Sequence, residues 1–507
     1  MRTAFVAGAC VDLGAFDPRE PDAGVGAWLA RAQGAVDHVV LMEDREPDFF
    51  HGYRGFVPSA HVPLNRHGPR ADAWAQADVR RLVEAFHARG VKVLLGYWIH
   101  ECAFLDDLHP ELLIRDQHGN LWQDVVEKNA DFNPMRRMRA DDANGIAEGE
   151  RYVSWSARQY AMLQRDFGFD GLFLGDGAMG FRRHGKDWKD LRHFDYHEDW
   201  LAEFASDERF LPHEGCAVVD PAAPTEARSR DVHLYHWPHW VAWNTDRWTG
   251  YYREMAEAVH ATGGVLAAYN CMNYDPALAR LHGVDYRAIA EAGLDVMVFQ
   301  AYDYAWGPMG PFGFLHIARK DLATNLRSLL RLRAHVGHDT PMRILLSIET
   351  EDEVEGWDAP LAHTLGELQT YGQAASFDGR AWRRAADGGL VVWGNSVRAD
   401  EWRRLADAFE QLSAPPSAPT GALLWTPGEE LALAEQGAPT RTEPEALYAH
   451  LDVQAAVGDG PADSAILTAP HAAHGALPLA PRPVAAPLEG RVAQAPVESP
   501  RTRSSQR

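Results

Sequence analysis

The chain has 507 residues, of which 46% are hydrophobic, and a formal net charge of -23. That is apolar material enough for a large core, and the length allows either two or three average domains or one barrel with long insertions. The acidic residues are spread along the chain, which argues against nucleic acid and anionic membrane surfaces as partners, since both are bound through Lys/Arg clusters.

The four cysteines, Cys10, Cys102, Cys216 and Cys271, show neither CxxC spacing nor a disulfide framework. They suit a reducing compartment. The opening MRTAFVAGACVDLG has an apolar run of about seven residues before Asp12, too short and too poorly flanked for a signal peptide. Nor does any uninterrupted apolar stretch approach the roughly 18 residues of a membrane span. The expectation is a soluble cytoplasmic protein.

Short apolar runs alternate with amphipathic stretches, the pattern of βα units feeding a parallel sheet. In chain order, strands are expected at about 3–12, 36–43, 91–99, 169–175, 264–270, 294–301, 342–348 and 389–394. Helical periodicity covers 73–89, 149–166, 240–262, 320–336 and 399–412. Arg89-Gly90-Val91, Thr262-Gly263-Gly264 and Ala292-Gly293-Leu294 each place a helix-ending glycine directly before a strand. Eight such units give an α/β fold of the (β/α)₈ TIM-barrel type, expected over residues 1–415. Long loops follow strand 3 (about 100–147) and strand 4 (about 177–235), as functional loops do. Residues 416–452 read as an extension packing on the barrel. From 453 to 507 the composition turns to Ala and Pro and periodicity is lost, which predicts a disordered tail.

The phrase Gly168-Phe169-Asp170-Gly171-Leu172-Phe173-Leu174-Gly175-Asp176-Gly177 delivers a carboxylate, Asp176, at the C-terminal end of strand 4. In a parallel barrel chemistry gathers at that end; the plainer reading is a helix cap. Other strand ends add Glu43, the set Trp98, His100 and Glu101, then Asn270, Gln300 with Tyr302 and Asp303, Glu349, and Trp393. Paired carboxylates among aromatic rings suit cleavage of a glycosidic bond. One acid attacks or activates water, the other protonates the leaving oxygen, and flat rings stack on sugars. Trp98, Trp122, Trp306, Trp357 and Trp393 fall in or beside these loops, with core packing the alternative for some of them. Trp237, Trp240 and Trp243 are spaced by three, and a buried helical stripe explains them better than a sugar platform.

The run Gly90 to Trp98, then His109-Pro110-Glu111-Leu112-Leu113-Ile114-Arg115-Asp116, Gly119-Asn120 and Asn133-Pro134, followed by Gly168 to Gly177, resembles the α-galactosidase/α-amylase-like (β/α)₈ barrels. It is most similar to their bacterial glycosyl hydrolase-like relatives. The resemblance covers about residues 90–180. It implies a glycosidase with a carbohydrate substrate and no cofactor, with Asp176 as nucleophile. In the α-galactosidase-like branch the acid/base lies at the end of strand 6, here Asp303. The amylase-like branch places a Glu on strand 5, where this chain has Asn270. Both branches carry a cation two residues before the nucleophile, where this chain has Leu174, so that charge must come from elsewhere, with Arg182 and Arg183 as candidates.

The partner of Asp176 stays open between Asp303 and Glu349. Asp303 follows an apolar strand and is flanked by Tyr302, Tyr304 and Trp306, a setting that keeps a carboxyl protonated. Glu349 precedes Glu351, Asp352, Glu353 and Glu355, an acidic run better suited to hydroxyls or a cation. Metal-dependent hydrolysis finds no support: strand 1 ends in Cys10-Val11-Asp12-Leu13 without His-x-His, and no HExxH is present. Glycine-rich phosphate turns after strands 7 and 8 are missing as well. The remaining rival is a carbohydrate-binding barrel without catalysis.

Overall fold

A computed structural model describes residues 5–42, 74–97, 109–121, 132–142, 145–175, 194–210, 220, 222–269, 276–300, 322–346, 361–378, 380–391, 394, 397–413, 423–424 and 456–458. Eight parallel strands close into a barrel: β1 (Val6–Val11), β2 (His38–Met42), β3 (Lys92–Tyr97), β4 (Gly171–Leu174), β5 (Val265–Tyr269), β6 (Val296–Gln300), β7 (Met342–Leu346) and β10 (Gly388–Val391). Their order around the barrel is β1-β10-β7-β6-β5-β4-β3-β2, so β10 closes the ring against β1, with Gly8 opposite Leu390. Every strand expected from the sequence is present, and the fold class is a (β/α)₈ barrel.

The helices include α1 (Val25–Arg31), α2 (Gln76–His87), α3 (Tyr152–Phe167), α4 (Glu198–Ser206), α5 (Thr225–Asp231) and α6 (Trp237–His260). They continue with α7 (Pro276–Leu281), α8 (Tyr286–Glu291), α9 (Leu322–Val336), α10 (Leu361–Gln373) and α11 (Ala399–Leu412). The glycines expected to end helices do so in the left-handed region, with φ of 76° at Gly90 and 78° at Gly263.

Strand alternation divides the core in two. One buried set fills the barrel: Cys10, Val40, Met42, Leu94, Phe173, Ala267, Tyr269, Val296, Val298, Leu345 and Leu390. The intervening strand residues, such as Val39, Leu41, Val93, Leu172 and Leu266, face the helices and join a larger apolar layer there. Gly171 is required by close approach, because a Cβ there would lie 2.0 Å from the Val265 carbonyl oxygen.

The barrel's N-terminal end carries a device that repeats four times. The residue directly before each of β2, β4, β6 and β10 is an aspartate: Asp37, Asp170, Asp295 and Asp387. Each Oδ2 accepts the amide of a neighbouring strand, from Ala7 (2.9 Å), Val93 (2.8 Å), Leu266 (2.7 Å) and Met342 (2.9 Å) respectively. Each aspartate's own N–H donates back to the carbonyl of that same residue. Three of the four also hold a base from the helix before that neighbour: His87 on Asp170, His260 on Asp295 and Arg333 on Asp387. Main-chain groups at the start of four strands are thereby satisfied within the chain.

A second sheet runs β11-β12-β8-β9, built from the antiparallel hairpin β8 (Ala375–Phe377) and β9 (Trp382–Arg384), with β11 (Leu423–Leu424) and β12 (Ala456–Gly458). β12 pairs parallel to β8, so paired chain reaches three residues past 455, beyond the boundary the composition suggested at 453.

Candidate active site

At the C-terminal end of the barrel, the inward side chains form a floor. Phe173 on β4 and Tyr269 on β5 meet with ring centroids 5.7 Å apart, and Met42 on β2 and Gln300 on β6 are also buried. Gln300 alternates with Val296 and Val298 on β6, which places its amide in the barrel interior beside Leu345 of β7. It is the expected site residue that the described structure contains. Asp176, Asp303, Glu349, Glu43, Trp98, His100, Glu101, Asn270, Tyr302, Trp306 and Trp393 lie outside the described residues, as do Trp122, Trp357, Arg182 and Arg183.

Two polar groups at this end were not singled out from the sequence. Asp12 follows β1 directly and is buried; its Oδ1 accepts the Gly14 amide at 2.7 Å, capping a 3₁₀ turn over Leu13–Ala15. Tyr269 ends β5 and was hidden within an apolar run. Its inward register, set by Ala267 two residues earlier, is the signal that marks it. Cys10, by contrast, is a buried thiol whose pKa burial pushes far up, so it stays protonated and unreactive.

The loops after β3 and β4 emerge at this same end and are bound together. Asn133 Nδ2 donates to Asp195 Oδ2 at 2.9 Å, and the Arg115 amide donates to Asp195 Oδ1 at 3.2 Å. The Tyr196 amide reaches the Arg115 carbonyl, and Arg136 Nη2 meets His197 Nδ1 at 2.8 Å. Burial lowers the His197 pKa, the Arg136 charge lowers it further, and Asp195 works the other way. His197 is therefore the neutral acceptor of the Arg136 guanidinium.

The His-Pro-Glu phrase serves this lobe. His109 is buried, with Nδ1 at 2.9 Å from Glu111 Oε1, and that oxygen also takes the Arg139 amide at 2.8 Å. Asp116 Oδ1 accepts the His118 and Asn120 amides, which closes a turn. Trp240 and Trp243 are fully buried and stacked at 5.4 Å, while Trp237 packs edge-on against Phe194; the spacing by three is a core stripe. No group of three or more His, Cys, Asp or Glu side chains able to hold a metal occurs among the described residues.

No protein-family model matches the chain, and no curated protein matches it in sequence. Solved structures do match in shape. A β-galactosidase from the psychrophilic Marinomonas ef1 superposes with a TM-score of 0.53 at 12% identity, over 90% of this chain and 70% of that one. α-L-Fucosidase isoenzyme 2 from Paenibacillus thiaminolyticus gives 0.48 at 13% identity, over 90% of this chain and 58% of that enzyme's length. The first likeness establishes a barrel architecture that glycoside hydrolases use; at such identity it speaks for the fold alone. No helix among the described residues is long and apolar enough to cross a membrane.

Proposed function

We propose that this chain is a glycoside hydrolase that cleaves a glycosidic bond in an oligosaccharide or glycoside, with Asp176 as nucleophile and Asp303 as general acid/base. One observation carries the reading. Acidic residues follow the C-terminal ends of three barrel strands: Asp176 comes after Leu174 of β4 across one glycine, Asp303 soon after Gln300 of β6, and Glu349 soon after Leu346 of β7. In a closed parallel barrel these positions lie on the face where βα loops build active sites. Gln300, Tyr269 and Asp12 supply a buried polar floor at the same end, suited to sugar hydroxyls. A carbohydrate is the substrate in this reading. A nucleophilic Asp176 makes the reaction retaining, which requires its carboxyl to stand about 5 Å from the acid; about 6.5–9.5 Å means inversion through water.

The acid is assigned by leaving-group dependence. Asp303→Ala is expected to be slow on glycosides with poor leaving groups and largely restored on activated aryl glycosides, which need little protonation. If Glu349→Ala shows that selective rescue and Asp303→Ala does not, the acid follows β7. The second reading, a binding barrel without catalysis, draws on Leu174, which replaces the cation expected two residues before the nucleophile. Calorimetric binding of oligosaccharides with no turnover by the same preparation supports that reading over hydrolysis.

A further inference from the structure

A groove of about 290 Å³ opens on the flank of the barrel where α3 and α6 meet the loops around Met135 and Arg209. Its lining includes Arg151, Arg209, Arg247 and Arg253, against two carboxylates, Asp246 and Glu254. Both acids are already engaged. Asp246 Oδ2 accepts Arg209 Nη2 at 2.9 Å, and Glu254 Oε2 accepts the Ser154 hydroxyl at 2.6 Å. Arg151 is spent on Glu203 at 2.8 Å and on the Met135 carbonyl.

Three donors remain. Arg253 is exposed and makes no hydrogen bond or ion pair with any described residue. Arg247 uses Nη2 on Asp207 at 3.0 Å and lays its guanidinium over Trp243 at 4.9 Å, yet its Nε–H is buried without a partner. Tyr251, on the same helix, is 1% exposed and its hydroxyl has no hydrogen-bond partner. A buried phenol left unsatisfied is costly, and native chains keep few of them. Burial also pushes the Tyr251 pKa well up, so the hydroxyl keeps its proton and is available as a donor. A surplus of guanidinium with orphan N–H and O–H donors lining one concavity matches an acceptor-only ligand.

We propose that this groove is an oxyanion-binding site that takes a phosphate or carboxylate group on Arg253, the Nε–H of Arg247 and the hydroxyl of Tyr251. The site is independent of the barrel mouth, so it stands or falls apart from the hydrolase reading. Melting of the full chain is followed against inorganic phosphate, and separately against acetate, at ionic strength held constant with sodium chloride. The expected result is a saturable rise in melting temperature with one or both anions; the stronger responder identifies the class of ligand. Arg253→Gln and Tyr251→Phe should each weaken the apparent affinity by about tenfold or more, the loss expected for a hydrogen bond to a charged group. Tyr251→Phe removes an orphan hydroxyl while keeping the ring, so without anion it should melt no lower than the parent. Absence of a saturable response to either anion, or unchanged affinity in both variants, overturns the proposal. A lower anion-free melting temperature for Tyr251→Phe removes that hydroxyl from the site.

Discussion

Asp170 and Asp176 stand in one glycine-rich phrase, and the structure describes the first of them. Asp170 is tied to the Val93 amide and to His87 at the N-terminal end of the barrel, which fixes it as structural. In the proposed reading Asp176, which lies outside the described residues, follows β4 across one glycine and serves catalysis. Asp176→Asn should therefore leave stability within about 1 kcal/mol while lowering activity by several orders of magnitude. Near-normal turnover in that variant removes Asp176 from the mechanism. The sequence disclosed that an acid ends the strand; it could not disclose Asp170's role, because the amide it accepts comes from a strand far away in the chain. His38 shows the same limit. Its ring fills the barrel next to Gly8, where a Cβ would come within 2.1 Å of it, and Arg343 Nη1 lies 2.5 Å from its Nε2. Burial lowers the His38 pKa well below 6.5, Arg343 and Lys92 lower it further, and a hydrogen bond to the Ala7 backbone opposes them. The unfolded chain thus takes up a proton near pH 6.5 that the folded chain refuses, so stability falls as pH drops below about 6.5. His38→Gln, which keeps an acceptor for Arg343, should flatten the decline in melting temperature between pH 7.5 and 5; an unchanged slope means that other groups set it.

Among the elements, the strands were legible because a barrel strand is buried on both faces and reads as a short apolar run. The helices found from periodicity, such as α2, α6 and α11, are long and plainly two-sided. α1 and α10 were not read, nor the hairpin β8–β9. α1 has only seven residues and begins at a glycine, Gly24, with no side-chain cap, so it carries little of the usual signal. The four aspartates before β2, β4, β6 and β10 explain why paired neighbours share one arrangement at the N-terminal end. Each acts as a two-point clasp, its N–H and carboxylate meeting the C=O and N–H of one residue on the next strand. Asp170→Ala leaves the main-chain bond to Val93 but strands the Val93 amide and frees His87. The expected loss is about 2 kcal/mol in urea unfolding, with a full barrel retained and activity unchanged at temperatures below the transition. A loss under about 0.5 kcal/mol indicates that water replaces the carboxylate and that the clasp is ornamental.

Across the whole molecule, the barrel's order was recoverable from alternation alone, whereas the second sheet was not. That sheet joins β8 and β9, which lie between α10 and the last barrel strand β10, to two short segments later in the chain, and no local pattern connects pieces so far apart. β12 offers only Ala456-Val457-Gly458, yet it takes the edge of β8 in parallel register, from Ala456 on Ala375 to Gly458 on Phe377. β11 pairs in turn with β12. An unpaired parallel edge leaves backbone donors and acceptors to water, and invites association with another chain. Beyond residue 458 the sequence is rich in Ala and Pro without a periodic apolar pattern, a composition that offers little apolar surface against ordering entropy. Two truncations separate these contributions. A chain ending after residue 458 should melt like the full chain and stay soluble. One ending at 452 keeps the barrel but loses β12, and with it the strand between β11 and β8. It is expected to melt a few degrees lower and to self-associate more readily in light scattering. Equal melting and equal solubility of the two truncations place the end of the ordered structure before 453, as composition alone suggested. A large drop for the chain ending after 458 shows instead that the Ala/Pro-rich residues pack on the barrel.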